Sequence, residues 1–269
     1  MTPDVIPEYR SARGGTVAII DSGVDDAHPA LRGARVRHLQ VARRGELWAV
    51  EPAEPLDVSG HGTACAGILH RLAPEAAIVS LRALGPDGRG SRDALIEALR
   101  HAVRERYPVV NVSLGIDVPR SAALRPADHR SIVELYEVAD AAYTAGVVLI
   151  AAGPNLASLR TYPGKFKSLI GVGSGAFADP EALCTHLTDA HEILAPGDEI
   201  LAPALGGGER RFTGTSFACP HVAAHVARLR AARPDLGVEA IKAELHQLAA
   251  RYARPDASAR PTRGLEEGA

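Results

Sequence analysis

Aromatic side chains make up only 4% of this 269-residue chain, with a single tryptophan, and cysteine occurs three times. Cys65, Cys184 and Cys219 are odd in number, widely spaced and without a metal-ligand pattern, so we read them as reduced thiols and expect a cytoplasmic setting. Long apolar runs are missing too. No stretch approaches a membrane span, and the opening MTPDVIPEYRSARGG lacks the apolar centre of a secretory signal. An excess of one charge is also absent. The formal net charge of −2 argues against nucleic acid or an anionic membrane as partner. Lysine is scarce: only Lys165, Lys167 and Lys242 among 30 basic residues, the rest being arginines interleaved with Asp and Glu on a solvated surface. What the chain does have is 46% hydrophobic residues, enough for one well-developed core.

Those apolar residues fall into two rhythms. TVAIID (16–21), AAIVSLRAL (76–84), VVNVSL (109–114), VVLIAA (147–152) and SLIGVG (168–173) are continuous β-branched runs that read as buried strands. Between and after them, segments 91–107, 131–146 and 237–252 carry apolar residues at helical spacing, with Ser91 as N-cap of the first and Gly146 closing the second. This alternation predicts a single-domain α/β fold, three layers α/β/α around a mainly parallel sheet. Residues 32–58 show no clear period and read as a loop-rich insertion. The expected organisation is an N-terminal arm (1–15), one domain (16–252) and a disordered tail (253–269) rich in Pro, Arg and small residues.

Parallel sheets of this kind collect reactive groups where strands end. Asp21 closes the first strand in AIIDSGVDDAHPAL, where a plain turn would also explain it. His61 lies between glycines in SGHGTACAGIL, and Ser216 opens a small-residue helix in FTGTSFACPHVA. Singly, each has a structural explanation. Together they supply what a serine nucleophile needs: an imidazole to take its proton and a carboxylate to orient that imidazole and balance its charge.

These three stretches, in this order, resemble the signatures of the subtilisin-like serine proteases, the subtilases. The likeness continues through VSLRALGPDGRGS, VVNVSLG, YPGKFKSLIGVGS and ILAPGDEI, over approximately residues 16–250. The resemblance implies Asp21 as orienting carboxylate, His61 as general base and acid, and Ser216 as nucleophile. It implies that an extended peptide or protein substrate pairs with Ser113, Leu114 and Gly115, while Ala151, Ala152 and Gly153 line the main specificity pocket, whose small, uncharged wall suits an apolar or medium-sized residue. In the family an Asn directly follows A-A-G and donates to the oxyanion. Here Pro154 stands in that place and cannot donate, and the amide is Asn155. Two geometries are open: a one-residue bulge that delivers Asn155 to the crevice, which we expect, or a held register that points it elsewhere.

Other family features are expected to be missing. The segment after AGILH has no Asn- or Asp-rich insertion, so neither calcium nor any other metal or cofactor is predicted, and Asp25–Asp26 reads as a solvated turn. Fewer than twenty residues precede the first strand, which predicts an intracellular subtilase without signal or propeptide. Such an enzyme would process a particular peptide or protein and be restrained by a regulatory or biosynthetic partner. Cys65 and Cys219 should lie close to the site as small packing residues rather than as a redox switch. The alternative from another class is an inactive subtilase-fold protein that binds peptides. A dinucleotide-binding oxidoreductase lacks its Gly-rich fingerprint here.

Overall fold

In the computed structural model, residues 15–85 and 89–252 are described. The arm, apart from Gly15, and the tail proposed from sequence lie outside them. The first buried run forms β1 (Thr16–Asp21), and a 3₁₀ turn at Pro29–Leu31 follows it. Next come β2 (Arg35–Arg44), β3 (Leu47–Pro52) and helix α1 (His61–Leu72). The alternation then continues through β4 (Ala77–Arg82), α2 (Arg92–Arg104), β5 (Val109–Val112), β6 (Ile116–Pro119), α3 (Pro126–Thr144) and β7 (Val148–Ala152). After β7 the chain forms β8 (Leu159–Tyr162), β9 (Ile170–Gly175), β10 (Cys184–Thr185), β11 (Ile193–Pro196), β12 (Ile200–Pro203) and β13 (Glu209–Phe212). Two helices, α4 (Thr215–Ala232) and α5 (Val238–Ala249), close the described chain.

The main sheet has nine strands in the order β10-β11-β9-β7-β5-β1-β4-β2-β3. All pairings are parallel except those of the two outermost strands, β10 and β3. Alternation along β1 shows the three layers. Val17 and Ile19 point to the core shared with α1, α4 and α5, whereas Ala18 and Ile20 point to the core shared with α2 and α3. Both faces are therefore dry, which is why β1 reads as an unbroken apolar run.

Two expectations need correction. Residues 32–58 are not a loop-rich insertion: 35–44 and 47–52 form a hairpin that extends the sheet past β4. Its Arg-rich strands are only partly covered, so they carry polar residues where the central strands carry apolar ones. The helix placed at 131–146 begins at Pro126, five positions earlier, because proline at the first helical position has no N–H to leave unpaired. Ser91 caps α2 as expected, its Oγ accepting from Asp93 N at 3.2 Å.

Candidate active site

Asp21 is the last residue of β1 and is 1% exposed. Its carboxylate accepts from the next backbone N–H, Ser22 N, at 2.7 Å. His61 is the first residue of α1. The helix can start so close to β1 because residue 62 is glycine: a Cβ there would sit 2.0 Å from Gly23 O. This close approach brings His61 Nδ1 to 2.8 and 2.9 Å from the two Asp21 oxygens.

A carboxylate only accepts, so in the neutral imidazole Nδ1 carries the proton and Nε2 presents its lone pair. That lone pair meets Ser216 Oγ at 3.0 Å. Ser216 is the second residue of α4 and comes from the opposite end of the sequence. Burial by itself pushes the imidazole down, but the adjacent Asp21 carboxylate more than offsets this and holds His61 well above its usual 6.5. Phe217 covers one side of the imidazole, with ring centroids 4.8 Å apart.

Asn155 lies on the nucleophile's side of the crevice despite Pro154. Its Oδ1 accepts from Thr215 N at 2.9 Å, and Thr215 Oγ1 stands 3.1 Å from Oδ1 and 2.8 Å from Gly153 O, its one proton serving both. With Oδ1 occupied, Nδ2 has no acceptor among the described residues. Ser216 N, in the first turn of α4, has none either. Both donors are thus left without a partner among the described residues.

The two segments read as substrate walls emerge from neighbouring strands, β5 and β7. Ala151, Ala152 and Gly153 are buried, and Gly153 N donates to Val172 O at 2.7 Å. Leu114 is half-buried and Gly115 exposed, whereas Ser113 is buried and has its own task. Its Oγ accepts from Asn111 Nδ2 at 2.8 Å and donates to Ser216 O at 2.9 Å, bracing the turn that carries Ser216.

Cys65 sits beneath the site, its Sγ 3.9 Å from His61 Nδ1 and 3.6 Å from both Ser113 Oγ and Ser216 O. Burial pushes its thiol up, which keeps it protonated, and does the same to Cys219. Asp21, His61 and Cys65 place ligand-type atoms within 4.8 Å of one another, but the carboxylate and imidazole already share a proton. Asp25 Oδ1 accepts from Ala27 N at 3.1 Å, the arrangement of a turn. Thr215, Ser22 and Asp57, which also shape this site, were not singled out from sequence. The bonds that tie them to the site, Asp57 to Ser22 and Thr215 to Asn155, span 35 and 60 positions, and only the adjacency of Ser22 to Asp21 and Thr215 to Ser216 offered a signal.

The sequence matches the Subtilase family over residues 12–264. It is 30% identical to subtilisin of Bacillus pumilus over 233 residues, which is 81% of this chain and 77% of that protein. It is 29% identical to the thermophilic serine proteinase of Bacillus sp. (strain AK1) over 82% of this chain, but spans only 53% of that protein's length. Among solved structures, the prenylagaramide maturation protease PagA superposes with a TM-score of 0.62 at 25% identity, covering 84% of this chain and 78% of its own. No described helix is long and apolar enough to cross a membrane. On the matched length and the identity to a full-size relative, this chain belongs to the subtilase family.

Proposed function

We propose that this chain is a serine endopeptidase whose working residues are Asp21, His61, Ser216 and Asn155, with residues 16–252 as the peptidase unit. The observation that carries the proposal is the position of one imidazole, 2.8 Å from a buried carboxylate and 3.0 Å from a serine hydroxyl. A substrate strand lies along Ser113–Gly115, where backbone pairing accepts any extended peptide and leaves selectivity to the pocket beside Ala151–Gly153. As Ser216 Oγ bonds to the scissile carbonyl carbon, His61 Nε2 takes the hydroxyl proton and Asp21 balances the imidazolium. The carbonyl oxygen becomes an oxyanion and accepts from Ser216 N and Asn155 Nδ2. His61 then gives its proton to the leaving amine nitrogen, and the C–N bond breaks to leave an acyl-enzyme. Water attacks the ester carbon as its proton passes to Nε2; the C–Oγ bond then breaks, Nε2 returns the proton to Ser216 Oγ, and the peptide acid leaves.

Asn155 is suited to this task because Thr215 holds its oxygen and so leaves the nitrogen to donate. The likeness to a maturation protease supports dedicated processing of one peptide or protein over general digestion. Three free cysteines among the described residues support the cytoplasm as its place of work.

Hydrolysis of a quenched peptide library by the purified chain tests the reading. Ser216→Ala is expected to lose about 10⁶-fold in kcat. Asn155→Ala is expected to lose about 10²–10³-fold, with little change in KM, because its bond forms only as charge develops. Equal rates for Asn155→Ala and the parent would remove Asn155 from the oxyanion site, and undiminished hydrolysis by Ser216→Ala would end the proposal.

A further inference from the structure

A second carboxylate stands behind the first. Asp57 is 5% exposed, has no cation within ion-pair distance among the described residues, and is used by no step of the chemistry above. Its two oxygens take hydrogen bonds from five donors. Oδ1 accepts from Ser22 Oγ at 2.6 Å, Gly60 N at 2.8 Å and Ser59 N at 3.1 Å. Oδ2 accepts from Thr63 N at 2.7 Å and Thr63 Oγ1 at 2.5 Å. With this many donors both oxygens of the buried carboxyl are hydrogen-bonded, and a carboxylate at the start of α1 matches the sign of the helix dipole.

These donors come from two separate places in the chain. Ser59, Gly60 and Thr63 flank His61. Ser22 follows Asp21, and its backbone N–H is the one that donates to the Asp21 carboxylate at 2.7 Å. Ser22 Oγ therefore does two things: it donates to Asp57 and accepts from Gly62 N at 3.0 Å. The backbone adds Val58 N to Ser22 O at 3.1 Å, and Asp25 N reaches Thr63 Oγ1 at 3.0 Å. One hydroxyl and one carboxylate thus tie the residue after Asp21 to the residues on both sides of His61. Asp21 and His61 are 40 positions apart, so their mutual distance depends on such ties.

We propose that Asp57, acting through Ser22, is the positioning residue that holds Asp21 and His61 in hydrogen-bonding register. The inference rests on the peptidase reading above for its kinetic consequence, but its geometric content stands on these bonds. Misplacement of a reacting group by about 1 Å costs on the order of 10²-fold in rate. The loss belongs to kcat, since no group that binds peptide is touched.

The test uses the full chain with Ser22→Ala, Asp57→Asn and Asp57→Ala, followed by kcat, KM, the pH profile of kcat/KM, and the low-field NMR proton of His61 Nδ1. Ser22→Ala removes the hydroxyl that joins Asp57 to Gly62 N and leaves Asp57 four of its donors, so it serves even if Asp57→Ala does not fold. For folded variants the expected order of kcat is parent, then Asp57→Asn, which keeps the Oδ1 acceptor, then Ser22→Ala, then Asp57→Ala. The last should lose about 10²-fold with KM within about twofold. In Ser22→Ala the acid limb should move to lower pH and the Nδ1 proton should shift upfield, as the bond to Asp21 loosens. A folded Ser22→Ala with parental kcat, acid limb and Nδ1 resonance would overturn the inference, as would a loss of thermal stability alone. If the parent itself hydrolyses nothing, the peptidase reading fails, and the Nδ1 resonance then decides the positioning claim by itself.

Discussion

Helices α1 and α4 both begin at the crevice, and both begin on a glycine N-cap, Gly60 and Gly214, that offers no side chain to the first turn. They solve the resulting shortage of acceptors in opposite ways. At α1 a buried carboxylate, Asp57, takes N–H groups from Ser59, Gly60 and Thr63. At α4 one neutral amide oxygen, from Asn155, takes Thr215 N, and Ser216 N is left with no acceptor among the described residues. The side that holds Asp21 against His61 has its donors taken. The side proposed to receive a developing negative charge keeps donors open, and in that role an incomplete cap on α4 is useful, because a satisfied N-terminus would have nothing to give an oxyanion.

The largest effect is expected on the α1 side. Asp21→Asn keeps the shape but lets Nδ1 be held in the wrong tautomer, and kcat is expected to fall about 10⁴-fold. The sign of the pH effect follows from the raised His61 value. As the proposed base, His61 works only when neutral, so the parent's acid limb is expected above 6.5. Removing the carboxylate stabilises the imidazolium less, and the residual activity should have its limb at lower pH. A pH profile of kcat/KM for both proteins checks this, and a limb that stays put would separate Asp21 from His61 in function.

On the α4 side a milder change is informative. Thr215→Val removes the hydroxyl bonds to Gly153 O and Asn155 Oδ1 but keeps the backbone donor. Losing about 1 kcal/mol of positioning should lower kcat roughly 5–10-fold at constant KM. Steady-state kinetics decide it, and a rise in KM alone would assign Thr215 to substrate binding instead.

The smallest expected effect concerns the support under Gly153. A Cβ on Gly153 would lie 3.5 Å from His191 Cβ. Burial holds the His191 imidazole down to about 4, with His186 and Lys167 adding positive charge nearby. The folded value is depressed, so as pH falls below 6.5 the unfolded chain binds a proton that the native chain refuses. Stability from this group is present above 6.5 and lost on the way down to 4. Tm should fall by a few degrees over that window, and His191→Gln should flatten the slope. The same slope in both proteins would show that other groups govern it.

How much of this was legible in the sequence depended on how local the signal was. The buried strands β1, β5 and β7 were readable because parallel strands covered on both faces must be apolar throughout, as VAII and VLIAA are. Asp21, His61 and Ser216 were readable because each sits on a glycine-marked turn, and the structure brings all three together. The hairpin at 35–52 was not, since its strands lie at the sheet margin and mix Arg, His and Gln with Val and Leu without a steady period. Its signal was there in the two-residue Gly45–Glu46 turn between Arg44 and Leu47, which pair across it. Asp57 and Thr215 were invisible for a different reason. Each reaches the site through a bond to a residue 35 or 60 positions away, and although Asp57 also takes local donors, no local pattern reports the distant bond.

If Ser216 is an activated nucleophile, a fluorophosphonate added to the folded chain forms an adduct that peptide mass mapping can locate, with His61→Ala treated alongside. One adduct is expected, on Ser216, formed in the parent and absent from His61→Ala. Hydrolysis of peptide by a parent that carries no adduct, or carries it on another residue, would show that Ser216 is not the nucleophile.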